Sequence, residues 1–207
     1  MTNYFALFVA TLSLFAAPSH ASQDAAAPAT NSAPGAAATA LPRYTQNAAK
    51  SSLKFTFEQA GAAVSGHFRK FSTVLVYDEK NLSASSLHVR VDMASVDTQE
   101  SERDGMIKDA DLFNVAKFPT ATFAASSLVK RADGGLEAVG KLTIRDITHD
   151  LRLPLTLKPT AEGYELSGRT SFKRLDYGVG QGEWKATDSV GDEVKIEYTV
   201  SLIRSRS

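Results

Sequence analysis

The chain has 207 residues, no cysteine, and 23 basic against 23 acidic side chains. Zero net charge without a basic stripe argues against a general binder of nucleic acid or anionic membrane. The lack of cysteine excludes thiol catalysis, disulfide exchange and cysteine-based attachment of metal or haem.

The first 21 residues read MTNYFALFVATLSLFAAPSHA. Phe5 to Ala17 is an apolar run, and Ser19 and Ala21 place small residues at the −3 and −1 positions of a cleavage site. This predicts a secretory signal peptide over 1–21 and a periplasmic destination. The n-region carries no Lys or Arg, so an uncleaved anchor is the rival. The run is shorter than the ~20 residues a spanning helix needs, so no stable span is expected after cleavage. Residues 22–42 are built from Ala, Pro, Ser, Thr and Gly with no periodic apolar residue, and read as a flexible tether. A single domain is expected from 43 to 207. At roughly 160 residues it can bury about 70% of its unfolded surface without disulfides.

Beyond Arg43 the apolar residues recur every second position. Leu53, Phe55 and Phe57 alternate in SSLKFTFE. After a turn at Gly61, Val64 to Phe71 continues with Phe68 inward, and Thr73 to Tyr77 adds a short run. Leu87, Val89 and Val91 alternate with His88, Arg90 and Asp92. One segment then changes period: Met106, Ile107, Ala110 and Phe113 are spaced as on a helix, which predicts a short helix over Ser101–Phe113 capped by Ser101 or Thr98. Strand periodicity returns at Thr120–Val129. Residues 139–157, VGKLTIRDITHDLRLPLTL, predict an antiparallel hairpin about Asp146. In it Leu142 and Ile144 share one face, as do Ile147, His149, Leu151, Leu153, Leu155 and Leu157. Pro154 lacks a ladder donor and predicts a bulge or a pairing gap. Tyr164, Leu166, Gly168, Thr170 and Phe172 line one further strand face; Val194, Ile196, Tyr198, Val200 and Leu202 line the last. About eight antiparallel strands fit a closed barrel or a sandwich. Periodicity alone leaves open whether the apolar lining is a packed core or a ligand tunnel.

Four segments occur together and in order: FTFEQAGAAVSGHFRKF, SVDTQESERDGMIKDADLFNVAKFPTATF, VGKLTIRDITHDLRLPL and KRLDYGVGQGEWKATDSVGDEVKIEYTVSL. Taken jointly they resemble the YceI family of bacterial polyisoprenoid-binding proteins, over roughly Arg43 to Leu202. The resemblance implies an all-β, lipocalin-like antiparallel barrel of about eight strands with a short helix near one end. It also implies an elongated apolar pocket for a long isoprenoid chain. Departures fall in the hairpin turn, where Asp146 replaces the family's usual Gly and Asp150 stands near its usual Pro.

On that footing the expected ligand-binding residues are Phe55, Phe57, Phe68, Phe118, Phe123, Leu142, Ile144, Leu151, Leu153, Leu155, Phe172 and Tyr177. Head-group candidates at a barrel mouth are Arg103, Arg145 and Arg174, with Asp104 and Asp176 beside them; the ordinary alternative for each is a solvated charge or a structural ion pair. The expected partner is a polyprenyl phosphate or an isoprenoid quinone, with self-association as a homodimer left open. Neither metal nor cofactor is expected: His67, His88 and His149 show no ligand spacing. No nucleophile elbow accompanies the Ser, His and Asp residues, and GVGQG lacks a strand–helix context. The reading is an exported lipid carrier or sequestering protein, not an enzyme. Its rivals are a stress-protective domain with a packed interior and a quinone-linked redox accessory.

Overall fold

The computed structural model describes residues 41–205. The expected signal peptide lies outside the described residues, as does the tether apart from Leu41 and Pro42. Eleven strands form one antiparallel sheet: β1 (Arg43–Gln46), β2 (Ser52–Gln59), β3 (Ala62–Phe68), β4 (Phe71–Val76), β5 (Ser86–Asp92), β6 (Val96–Asp97), β7 (Thr120–Lys130), β8 (Leu136–Ile144), β9 (Ile147–Pro159), β10 (Gly163–Lys173) and β11 (Glu193–Arg204). Helix α1 spans Ser101–Lys108.

The sheet closes on itself as an eight-stranded ring, β1-β4-β5-β7-β8-β9-β10-β11 and back to β1. The other three strands are continuations. β1 and β2 lie end to end along β11, with Gln46 opposite Leu202 and Ser52 opposite Thr199. β3 pairs with β2, and β4 with β1. β5 pairs with β4, and β6 with β3. Three staves of the barrel are therefore broken, and the breaks fall at one level: residues 47–51, Arg69–Lys70 and Met93–Ser95. Closure leaves no long free edge to template aggregation.

Along most of the strands the expected faces hold; Ile147 and His149, expected on the apolar face of β9, are exposed beside the hairpin turn. Leu75, Leu87, Leu128, Leu166 and Leu202 are wholly buried on inward faces, while His88 and Arg90 point to water. One end of the barrel is plugged by Tyr44, Tyr77 and Tyr164, whose rings meet edge-to-face at 5.1 and 5.4 Å. The other end is covered by α1 and by the segments before β7 and β11.

Helix α1 is shorter than the expected Ser101–Phe113. Its cap is neither Ser101 nor Thr98 but Glu100, whose carboxylate accepts from the Glu102 and Arg103 N–H groups. Thr98 is engaged differently: its N–H and hydroxyl both donate to Asp104, at 2.8 and 2.7 Å.

The β8–β9 hairpin turns through Arg145 and Asp146 alone, with φ of +51° and +62°. Two positive φ values are what a two-residue turn matching strand twist requires. Asp tolerates that region; Arg does not, and tertiary bonds hold it there. The Arg145 guanidinium donates to the carbonyls of Leu112 and Gly178, and lies 5.7 Å from the Phe118 ring centroid.

Pro154 falls where β9 loses β10. The β9–β10 ladder runs only from Pro159 to Thr156. Beyond it the Tyr198 hydroxyl reaches from β11 across β10 and donates to the Pro154 carbonyl. This crossing is open because Gly168 lies beneath it: a Cβ there would overlap both the hydroxyl and the carbonyl.

Candidate functional site: a tunnel in the barrel

The ring encloses an elongated cavity of about 200 Å³ whose walls are almost wholly apolar. Accessibility shows that it is a space and not merely core. Val89, Val91, Leu142, Leu151 and Ile196 all face inward yet are only partly buried, because part of each side chain borders the void. Leu75, Leu128 and Leu202, which also face inward but lie outside the cavity lining, are wholly buried. A close-packed interior would bury both sets.

Nine of the twelve expected residues line this cavity: Phe55, Phe57, Phe68, Phe123, Leu142, Ile144, Leu151, Leu153 and Phe172. Three do not. Leu155 is buried in the core beyond the tunnel, with Ala138 and Leu128. Tyr177 is buried at the helix-bearing end, its ring edge-on to Phe172 at 5.4 Å and to His149 at 5.0 Å. Phe118 lies under the Lys117 and Arg145 cations instead. Periodicity assigned Leu155 to an interior, and the resemblance brought in Phe118 and Tyr177; neither carries depth along the barrel axis, which decides whether an interior side chain meets void or core.

The cationic candidates divide in the same way. Arg174 is 3% exposed. Its guanidinium donates to four main-chain carbonyls: Gly191 at 3.0 Å, Val179 at 2.9 Å, Ala186 at 3.3 Å and Val190 at 2.8 Å. Burial pulls its pKa below the usual guanidinium value, with Asp192 opposing weakly. A Cβ at Gly180, where φ is +113°, would overlap this guanidinium. Arg174 therefore binds its own chain, not a head group, and Arg145 does likewise. Arg103 lines the tunnel and pairs with Glu100 at 3.6 Å. The remaining polar group of note is Tyr198. Its hydroxyl is occupied by Pro154, and burial raises its pKa well above the ordinary tyrosine value.

His149 is exposed, with Nε2 3.0 Å from the Asp176 carbonyl. Among the described residues no group of three or more His, Asp or Glu side chains is placed to hold a metal ion.

The barrel has counterparts among solved structures, and the YceI-like domain model matches residues 44–202. The chain belongs to the YceI family. A UPF0312 protein of Shewanella sp. strain ANA-3 is 31% identical over 172 residues, covering 80% of this chain and 90% of that protein. Protein YceI of Salmonella arizonae is 35% identical over 116 residues, 52% of this chain and 60% of its own length. Among solved structures, Burkholderia cenocepacia BcnA superposes with a TM-score of 0.72 at 28% identity, over 75% of this chain and 98% of that one. A Saccharophagus degradans polyisoprenoid binding domain implicated in plant cell wall breakdown superposes with a TM-score of 0.63 at 16% identity, over 78% and 98%. At that identity the likeness concerns the fold. The YceI barrel and its apolar interior support a ligand-binding role.

Sequence reasoning missed several tunnel residues. Val89, Val91 and Ile196 were assigned to inward faces but not to the site. Met106 and Ile107 lie on α1, which thus forms part of the lining. Thr73, which also lines the tunnel, carried no signal at all, since a polar residue on an inward face looks like a break in the pattern.

Proposed function

We propose that this protein is exported to the periplasm and there carries or sequesters a long-chain isoprenoid, a polyprenyl phosphate or an isoprenoid quinone. It acts as a binding protein, not as an enzyme. The observation that carries the reading is the void bordered by partly buried inward side chains such as Leu142, Leu151 and Ile196. A methyl-branched polyene gains about 0.8 kcal/mol for each methylene-sized group buried there. The polar groups nearest the void are largely committed to the protein itself, Arg174 to carbonyls and Tyr198 to Pro154, so affinity comes from burial. The shared barrel of the Saccharophagus polyisoprenoid binding domain supports the ligand class. The apolar run over residues 5–17 followed by Ser19-His20-Ala21 supports export.

The test is to purify the mature chain, extract it with organic solvent and identify lipids by mass spectrometry. A co-purifying isoprenoid is the expected result. No such lipid, together with no binding of added polyprenols, would overturn the reading. N-terminal sequencing of the periplasmic fraction should find a chain beginning after Ala21; retention of the first residues in a membrane fraction would overturn the export route.

A further inference from the structure

The three broken staves are not equally repaired. Between β3–β4 and β5–β6 the gap is sutured: Arg69 N–H donates to Ser95 O, Lys70 N–H to Ser95 Oγ, and Asp92 N–H to Lys70 O, each at 3.0 Å. Between β1–β2 and β3–β4 it is not. The ladders there end at Thr45–Val74 on one side and Lys54–His67 on the other, so residues 46–53 and 68–73 have no strand partner across the gap. The bulge at 47–51 is held away from the gap by β11, through Asn47 N–H to Ser201 O at 2.8 Å and Ser201 N–H to Ser51 Oγ at 3.1 Å. The result is a window in the side of the barrel, forming a cleft of its own. Leu53, Phe68 and Phe71 line both this cleft and the tunnel, so they alone separate the two.

Two further facts point to an occupant. Thr73, 2% exposed, faces inward beside the window, and its hydroxyl has no hydrogen-bond partner. Gln46 extends the same register on β1, opposite Leu202, and its side-chain oxygen is likewise buried and unpaired. An unpaired buried polar group costs about 1–3 kcal/mol, so a pair side by side at a gap needs an explanation. Outside them the rim is basic: Lys54, His67, Arg69 and Lys70. The carboxylate at this rim is that of Asp97, which takes Arg69 at 2.6 Å and His67 at 3.3 Å. Glu197 lies opposite Lys54 across β11 but bonds Arg169 at 2.9 Å. Among the described residues Lys54 and Lys70 have no ion pair.

We propose that this window holds the head of an anionic amphiphile whose tail fills the tunnel. The Lys54 and Lys70 ammonium groups face the anionic oxygens. The Thr73 hydroxyl and the Gln46 amide, either end of which can be presented, bond the first oxygen joining head to tail. The tail passes between Leu53, Phe68 and Phe71. The head therefore leaves through the barrel wall and not through the end covered by α1. This rests on the tunnel binding an isoprenoid tail.

The test uses three probes on the mature protein: geranylgeranyl phosphate, geranylgeraniol and headless squalene. A Lys54→Glu/Lys70→Glu double variant should bind the phosphate at least about tenfold more weakly, most at low salt, and leave the alcohol and squalene unchanged. A Thr73→Val/Gln46→Leu variant should weaken both oxygenated probes and spare squalene, with a melting temperature no lower than that of the parent. Three results would overturn the inference: a phosphate bound no better than the alcohol by the unaltered protein, an equal loss for all three probes in either variant, or loss of the phosphate preference on Arg103→Glu instead. Failure of every probe to bind the unaltered protein would overturn the tunnel reading and this inference with it; binding of squalene and alcohol without phosphate preference would overturn this inference alone.

Discussion

Replacing Val89 by Trp separates a tunnel from a packed core. Val89 sits midway along β5, opposite Thr73 on β4 and Phe123 on β7, and its side chain borders the void. An indole placed there has room in a 200 Å³ cavity, so the protein should fold. In a filled core the same change would overpack, at about 1–3 kcal/mol or more. The indole would displace about one five-carbon unit of a bound tail. At about 0.8 kcal/mol per methylene-sized group, five carbons contribute about 4 kcal/mol. That corresponds to about a thousandfold in dissociation constant before any relief by a shifted tail. The assay pairs a melting curve with displacement of a fluorescent polyene by a C20 prenyl alcohol. A melting temperature near the parent value with binding lost is expected. Parental affinity in the folded variant would refute the assignment of this void to the ligand, and wholesale unfolding would refute the void itself.

Three other outcomes follow from bonds that hold the barrel together. Tyr198→Phe leaves the Pro154 carbonyl without its donor and should destabilise by about 1–3 kcal/mol in urea denaturation. Because burial raises the Tyr198 pKa above 10.0, its contribution is complete below pH 10 and fades as the unfolded chain ionises above it; the variant should show a shallower alkaline loss. Asp97 behaves with the opposite sign. The hydrogen bond from the Gln99 N–H, then the Arg69 guanidinium, holds its carboxyl below the ordinary 3.8, so its stabilisation is present above that pH and lost as pH falls through it. Asp97→Asn should be less stable at pH 7 and flatter between pH 4 and 2, by denaturation at each pH. Finally, Asp146→Gly should raise the melting temperature, since a non-glycine residue at φ +62° costs about 1 kcal/mol that glycine does not; a lower melting temperature would show that the Asp side chain supports the turn.

Much of the barrel was legible because strand faces obey a period of two. Leu151 and Leu153 on β9, and Val194 to Leu202 on β11, could be assigned to the interior by parity alone. Pro154 announced its own pairing gap, and the Arg145–Asp146 turn was marked by its polarity. What parity lacks is position along the axis, so Leu155, sound as an interior residue, fell outside the tunnel. Charge was misleading for a related reason. Arg145 and Arg174 follow strands at the barrel end, which suits a head-group role, but their partners are carbonyls from residues 112 and 178–191, and no sequence pattern signals that a carbonyl will turn inward. Glu100 as the α1 cap was hidden similarly, because Ser101 and Thr98 are stronger capping types.

The four carbonyls gathered on Arg174 have a kinetic meaning. All four acceptors are uncharged, so neither protonation near neutral pH nor added salt loosens them. They are all served by one guanidinium, through Nε, Nη1 and Nη2, so the segment from Val179 to Gly191 is pinned to a single side chain: once the guanidinium leaves, every acceptor is orphaned together. Opening of this end by withdrawal of Arg174 would be one discrete event, and the lifetime of a cargo escaping by it would be a single exponential, indifferent to ionic strength. A tail that slid out past loose loops would instead show a spread of lifetimes.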